Sequence, residues 1–136
     1  MKDEESSLGK DYKDGDIIFE ENSAGREMYI ILTGKAIVIK ERGDVETTLA
    51  TLEDGDFFGE MSLFDNSPRS ATVKALGDVK LLEINQTNFL KKISRGPSLA
   101  FRMLEKMSQR IRITDEKILN CTVEIKDFIE DHKEFV

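Results

Sequence analysis

The chain changes its hydrophobic period near residue 85, and that switch limits what it can fold into more than any other feature. Up to Ile84 the apolar residues come in short β-rich runs. These are 16–19, 28–33, 35–40, 45–52, 70–76 and 79–84. Turn chemistry separates them: Asn22-Ser23-Ala24-Gly25, Gly34, Gly43-Asp44, Asp54-Gly55-Asp56 and Gly77-Asp78. Gly43-Asp44 between two such runs predicts a tight hairpin. Many short strands at this spacing predict a closed or double-sheet architecture of the jelly-roll kind.

After Ile84 the period becomes helical. Residues 85–93 predict a short helix carrying Phe89, Leu90 and Ile93 on one side. Gly96-Pro97 stops the chain and restarts it, because proline suits a first helical turn. No glycine or proline follows through Val136. Leu104, Met107, Ile111, Thr114, Ile118, Cys121, Ile125 and Phe128 recur at alternating spacings of three and four, the pattern of a coiled-coil seam. The first turns of that stripe are expected to pack on the β body. Beyond Ile111 a second copy of the helix is the expected partner, in a parallel homodimer with Cys121 facing its twin. The fold expected is mainly β with C-terminal helices: a double-stranded β-helix or jelly-roll β-barrel, then a short helix and a long one. Residues 1–10 form a tail, 11–95 the β-roll core, and 96–136 the long helix that serves as lid and dimer contact.

Composition narrows the function classes. A chain of 136 residues is one domain's worth, and 39% hydrophobic with 35% charged residues suits a globular protein in water. No apolar run approaches the roughly 18 residues of a membrane span. The start, Met1 to Ser7, lacks the apolar stretch of a secretory signal. One cysteine allows no internal disulfide, which fits a reducing compartment and predicts a cytoplasmic protein. A net charge of −7 with scattered basic residues argues against general nucleic-acid binding. The single histidine, His132, supports neither a metal cluster nor a nucleophile–base pair, so an enzyme on a cupin-like scaffold is the weaker reading.

One stretch carries chemistry: Asp56-Phe57-Phe58-Gly59-Glu60-Met61-Ser62-Leu63-Phe64-Asp65-Asn66-Ser67-Pro68-Arg69-Ser70-Ala71-Thr72-Val73. A glycine opens a short helix-capable run, whose first N–H groups attract an anion. Ten positions later Arg69 offers a guanidinium that can make two parallel bonds to a phosphate. Glu60 repels phosphate but accepts a hydrogen bond from a sugar hydroxyl. Phosphate with sugar hydroxyl means a nucleotide. Against this stands an ordinary surface ion pair of Arg69 with Glu60 or Asp65.

The whole stretch resembles the phosphate-binding cassette of the cyclic-nucleotide-binding domain family, on the matches Phe58 to Leu63 and Pro68 to Thr72. Residues 12–19 and 28–38 are similar to the family's first strands, and the likeness covers about residues 11–120. What the resemblance implies is a sensor without catalysis or cofactor, its cassette at 57–73. The ligand implied is cyclic AMP, with cyclic GMP the alternative. The amides near Met61 and Ser62 and the Arg69 guanidinium would hold the cyclic phosphate, with Ser70 beside them. Glu60 would take the ribose 2′-hydroxyl, and Gly59 would let the backbone pass close. Phe58 and Ala71 belong to the same set. Ile37 and Leu49 would line the base pocket, and Thr114 on the long helix would reach the base. Asp115 stands where the catabolite activator protein has a serine. Asn22 and Arg26 stand where many members have Gly and Asp. No helix-turn-helix follows the long helix, so a sensor without a DNA-binding output domain is expected, with an unknown effector protein. A degenerate member kept only for dimerisation is the other family reading.

Overall fold

The computed structural model describes residues 9–132. The expected tail therefore lies almost wholly outside the described residues, as do positions 133–136 of the long helix. The described chain forms two compact units that divide at Lys91/Lys92. The expected boundary is at 95/96, and the short helix spans the division.

The first unit is an antiparallel sheet. Its strands are β1 (Lys10–Tyr12), β2 (Ile17–Phe19), β3 (Met28–Arg42), β4 (Val45–Leu52), β5 (Phe57–Phe58) and β6 (Thr72–Ile84), with helix α1 (Glu60–Asp65) between β5 and β6. The main hydrogen-bonded path runs β1-β6-β3-β4, with β2 added to β6 and β5 to β3. Among the described residues the path does not close on itself, so the architecture is jelly-roll-like rather than a sealed barrel.

Two separators expected to end strands do not. Gly34 and Gly77-Asp78 lie inside β3 and β6, which pair along most of their length. Thr33 faces Lys80 while Lys35 faces Leu76, so the register slips where the glycines meet. A Cβ on Gly34 would come within 2.4 Å of the Asp78 carbonyl oxygen. Both strands bend there without breaking, which is the usual role of a strand glycine. Gly43-Asp44 does make the hairpin, with Arg42 opposite Val45.

Alternation sends one face of the sheet inward. Tyr29, Ile31, Ala36, Val73, Ala75 and Leu81 are buried in one cluster with Phe58. Full burial of the larger ones, such as Ile31, Val73, Leu81 and Phe58, contributes about 1.5–3 kcal/mol each. At one end of the cluster three rings meet: Phe19–Tyr29 at 6.0 Å, Phe19–Phe58 at 5.7 Å and Tyr29–Phe58 at 5.3 Å between centroids. The Arg69 guanidinium lies over this platform, 4.1 Å from the Phe19 centroid and 5.9 Å from that of Tyr29.

Helix α2 (Gln86–Arg95) starts one residue later than expected. Asn85 caps it, accepting the Asn88 N–H on its Oδ1 at 2.8 Å. In the second unit, α3 runs unbroken from Ser98 to Asp131, with Pro97 just before it.

Candidate functional site

Gly59 and Arg69, ten residues apart in sequence, meet in space. Gly59 ends the extended segment at φ 79° and precedes α1 without any side-chain cap. Its missing Cβ is required twice. A side chain is disfavoured at that φ, and a Cβ would stand 2.7 Å from Arg69 Nη1 and 3.3 Å from the Phe19 ring. Helix α1 then offers its first amides uncovered by a capping side chain. The turn after α1 is fixed by Asn66 at φ 59° and by the Asp65 carboxylate, which accepts the Ser67 N–H at 2.9 Å. Hydrogen bonding from the Ser67 side chain and backbone holds the Asp65 carboxyl below its usual range.

Arg69 is the one charged side chain that is buried among the described residues, at 3% exposure. Its backbone is clamped first. Asn22 N–H donates to the Arg69 carbonyl at 2.7 Å, and Arg69 N–H donates to the Ser23 carbonyl at 2.9 Å. Asn22 adopts left-handed backbone, φ 67°, which asparagine tolerates better than most residues. The guanidinium lies over the Phe19 ring, 4.1 Å from its centroid. Nη1 donates to the carbonyls of Glu27 at 2.7 Å and of Gly59 at 3.1 Å. Nη2 reaches the Glu27 carboxylate at 3.4 Å. Nε is buried and has no hydrogen-bond partner among the described residues. A buried N–H left open in this way is costly, commonly about 1–3 kcal/mol. The arrangement therefore fixes a positive charge against an aromatic floor while leaving donor capacity unused.

The remaining expected residues fall around this centre. Phe58 is buried on β5 opposite Tyr29. Glu60 opens α1 and is half-buried. Met61 is 52% exposed, whereas Ser62 is buried. Ser70 is exposed and Ala71 is buried at the entry to β6. The simple surface pairing of Arg69 with Glu60 or Asp65 is not what forms, since the carboxylate at the guanidinium is Glu27. Ile37 is half-buried on β3 opposite Thr51 and Lys74. Leu49 is exposed and sits at a bulge, because Val38 faces Ala50 while Ile39 faces Thr48. Assignment of Ile37 and Leu49 to a base pocket comes from the resemblance alone. Thr114 belongs to the second unit, where its hydroxyl donates to the Arg110 carbonyl at 2.8 Å.

Three contributors were not foreseen: Phe19, Gly25 and Glu27. Phe19 reads in the sequence as an ordinary core residue. Gly25 reads as a turn residue, yet a Cβ there would lie 2.4 Å from both Nε and Nη2 of Arg69. Glu27 had one signal available: it directly follows Arg26, which stands at a position many family members fill with an acid.

The family model for the cyclic nucleotide-binding domain matches residues 9–95. The chain belongs to the cyclic nucleotide-binding domain family. Among its relatives, the cyclic AMP receptor protein of Thermus thermophilus is 35% identical over 105 residues, 76% of this chain and 49% of that protein. A cAMP-dependent protein kinase regulatory subunit of Mucor circinelloides is 36% identical over 88 residues, 65% of this chain and 20% of that one. The chain thus spans half or less of these relatives. The crystal structure of the Thermus thermophilus catabolite activator protein superimposes with a TM-score of 0.73 at 33% identity, covering 85% of this chain and 56% of that one. The cAMP-bound form of the EAL enzyme Bd1971 gives 0.60 at 32% identity over 82% of this chain and 30% of that one. Within the matched region, Gly59 and Arg69 sit within hydrogen-bonding distance, Nη1 donating to the Gly59 carbonyl.

Proposed function

We propose that this domain is a non-catalytic sensor of cyclic AMP. The observation that carries the reading is the buried Arg69 guanidinium, stacked on Phe19 beside the uncapped start of α1, with Nε unused. A cyclic phosphate supplies the acceptor this centre lacks. Arg69 would take the phosphate charge, and the amides of Met61 and Ser62 with Ser70 would take its remaining oxygens. Glu60 would accept from the ribose 2′-hydroxyl. Ile37, Leu49 and Thr114 would meet the base, and α3 would move as it did so. Cyclic GMP is the second ligand to test, because Ser70 carries an exposed hydroxyl and a cGMP-bound form of Bd1971 also superimposes.

The helix α3 would pair with the α3 of a second copy. What supports this is the run of exposed apolar residues along its seam: Leu104, Ile111, Ile118, Ile125 and Phe128. Ligand and dimer contact would then bias each other.

Calorimetric titration with cyclic AMP and cyclic GMP tests the reading. Arg69→Ala should weaken binding by about 3–5 kcal/mol, two to three orders of magnitude or more in Kd. Thermal melting of the variant controls for folding. A folded variant that binds within threefold of the parent would reject the role of Arg69, and a parent that binds neither nucleotide would leave the dimerisation reading.

A further inference from the structure

The carboxylate on Arg69 is held loosely. Its distance of 3.4 Å from Nη2 exceeds the roughly 2.7–2.9 Å of a strong charge-assisted bond. The same Oε2 atom accepts the Arg26 N–H at 3.2 Å, so its attention is divided. The Glu27 side chain is 39% exposed, in contrast to the guanidinium it faces. A cavity of about 400 Å³, lined by residues 24–27 with Asn66, Ser67 and Pro68, adjoins it and gives it room to turn.

The orientation of Arg69, by contrast, does not depend on that carboxylate. Nη1 is fixed by two backbone carbonyls, the plane by the Phe19 ring, and the backbone by Asn22 and Ser23. Removing the Glu27 charge leaves all of these in place. What the charge does is balance a cation that is almost wholly out of water.

From this we infer that Glu27 is a resident counter-anion that competes with the ligand phosphate for Arg69. The inference rests on the proposed phosphate role of Arg69 and adds a residue that sets its strength. A phosphate brought to the guanidinium places a second negative charge near the first. Like charges at such separation repel, so Glu27 either turns into its cavity or stays and lowers affinity. Both routes subtract from binding. Without nucleotide the same carboxylate stabilises the domain, because an unpaired buried guanidinium is costly. Glu27 thus acts in opposite directions on stability and on affinity. A residue that merely supported the loop would act in the same direction on both.

The test is Glu27→Gln, which keeps shape and an acceptor oxygen but removes the charge. Thermal melting without nucleotide should fall by a few degrees, while cyclic AMP binds about three- to tenfold tighter in calorimetry. Glu27→Asp, which retains the charge, should stay within twofold of the parent. Weaker binding by Glu27→Gln would overturn the inference and make Glu27 a support for Arg69. Unchanged binding would overturn it as well. If the parent itself binds no cyclic AMP, it is the sensor reading that fails, and the melting change alone then reports the Arg69–Glu27 pairing.

Discussion

The β body and the long helix treat their apolar residues in opposite ways. In the body, strand alternation turns Tyr29, Ile31, Val73 and Leu81 inward, and each is nearly out of water. Along α3 every residue from Ile111 to Asp131 is exposed, including Ile111, Ile118, Ile125 and Phe128 at about the same fractional level. Among the described residues, Arg69 Nε is the one buried side-chain nitrogen or oxygen without a hydrogen-bond partner. The contrast teaches where each region looks for its partner. On the proposed function, the body takes a small anion at one point, and the helix takes a second copy along its length.

The largest expected effect breaks the helix half of that contrast. Ile118→Asp puts one carboxylate per chain into the seam, and two in a dimer. Such unpaired charge in an apolar contact costs several kcal/mol, so association should weaken by about three orders of magnitude. Sedimentation reads this directly. The parent should sediment as a dimer and, with Cys121 on the seam, should also form a covalent dimer on oxidation. A parent that stays monomeric at high concentration would end the dimer proposal. Hydrogen exchange over residues 96–120, with and without cyclic AMP, reads whether the two regions are coupled, and identical protection would mean they are not.

The next effect breaks the body half. Gly59→Ala forces a Cβ to 2.7 Å from Arg69 Nη1 and holds an alanine at φ 79°. Strain of that kind costs about 1–3 kcal/mol. Stability should fall by that amount, and cyclic AMP binding should weaken as the guanidinium is displaced. Association through α3 should not change. A variant with parental stability and affinity would show that the close approach of Gly59 to Arg69 does not matter in solution.

Particular residues explain what could be read from the sequence. The family was legible because the resemblance is local, with Gly59, Glu60 and Arg69 inside one short stretch; by themselves these residues left an ordinary surface ion pair open. The long helix was legible because nothing in its sequence interrupts it. The strands were legible only in part: the runs 28–33 and 35–40 join in β3, the runs 70–76 and 79–84 join in β6, and β1 and β5 match none of the expected runs. Gly34 and Gly77 carry turn chemistry, and only the pairing of β3 with β6 turns each into a bend. Phe19, Gly25 and Glu27 were not legible as site residues. They come from the β2–β3 region, more than forty positions from Arg69 in sequence, and their role depends on the clamp of Asn22 and Ser23 on the Arg69 backbone. No periodicity encodes such a contact.

The smallest effect on binding sharpens the comparison at the point where the body's core meets the candidate site. Phe19 is both a member of the aromatic trio and the floor under the guanidinium. Phe19→Leu keeps the apolar contact but removes the ring quadrupole. A cation over an aromatic face contributes about 0.5–2 kcal/mol, more where both are desolvated, as Arg69 is here. The lost ring pairs with Tyr29 and Phe58 contribute about 0.5–1.5 kcal/mol each to folding. Two signals should therefore appear, a lower melting temperature from the lost ring pairs and weaker cyclic AMP binding by a few-fold from the looser guanidinium. If stability falls while affinity stays level, the ring serves the core alone, and the carbonyls of Glu27 and Gly59 suffice to aim Arg69. If affinity falls with it, the site is an extension of the core, and the precision with which the body grips a small anion comes from the same packing that folds it.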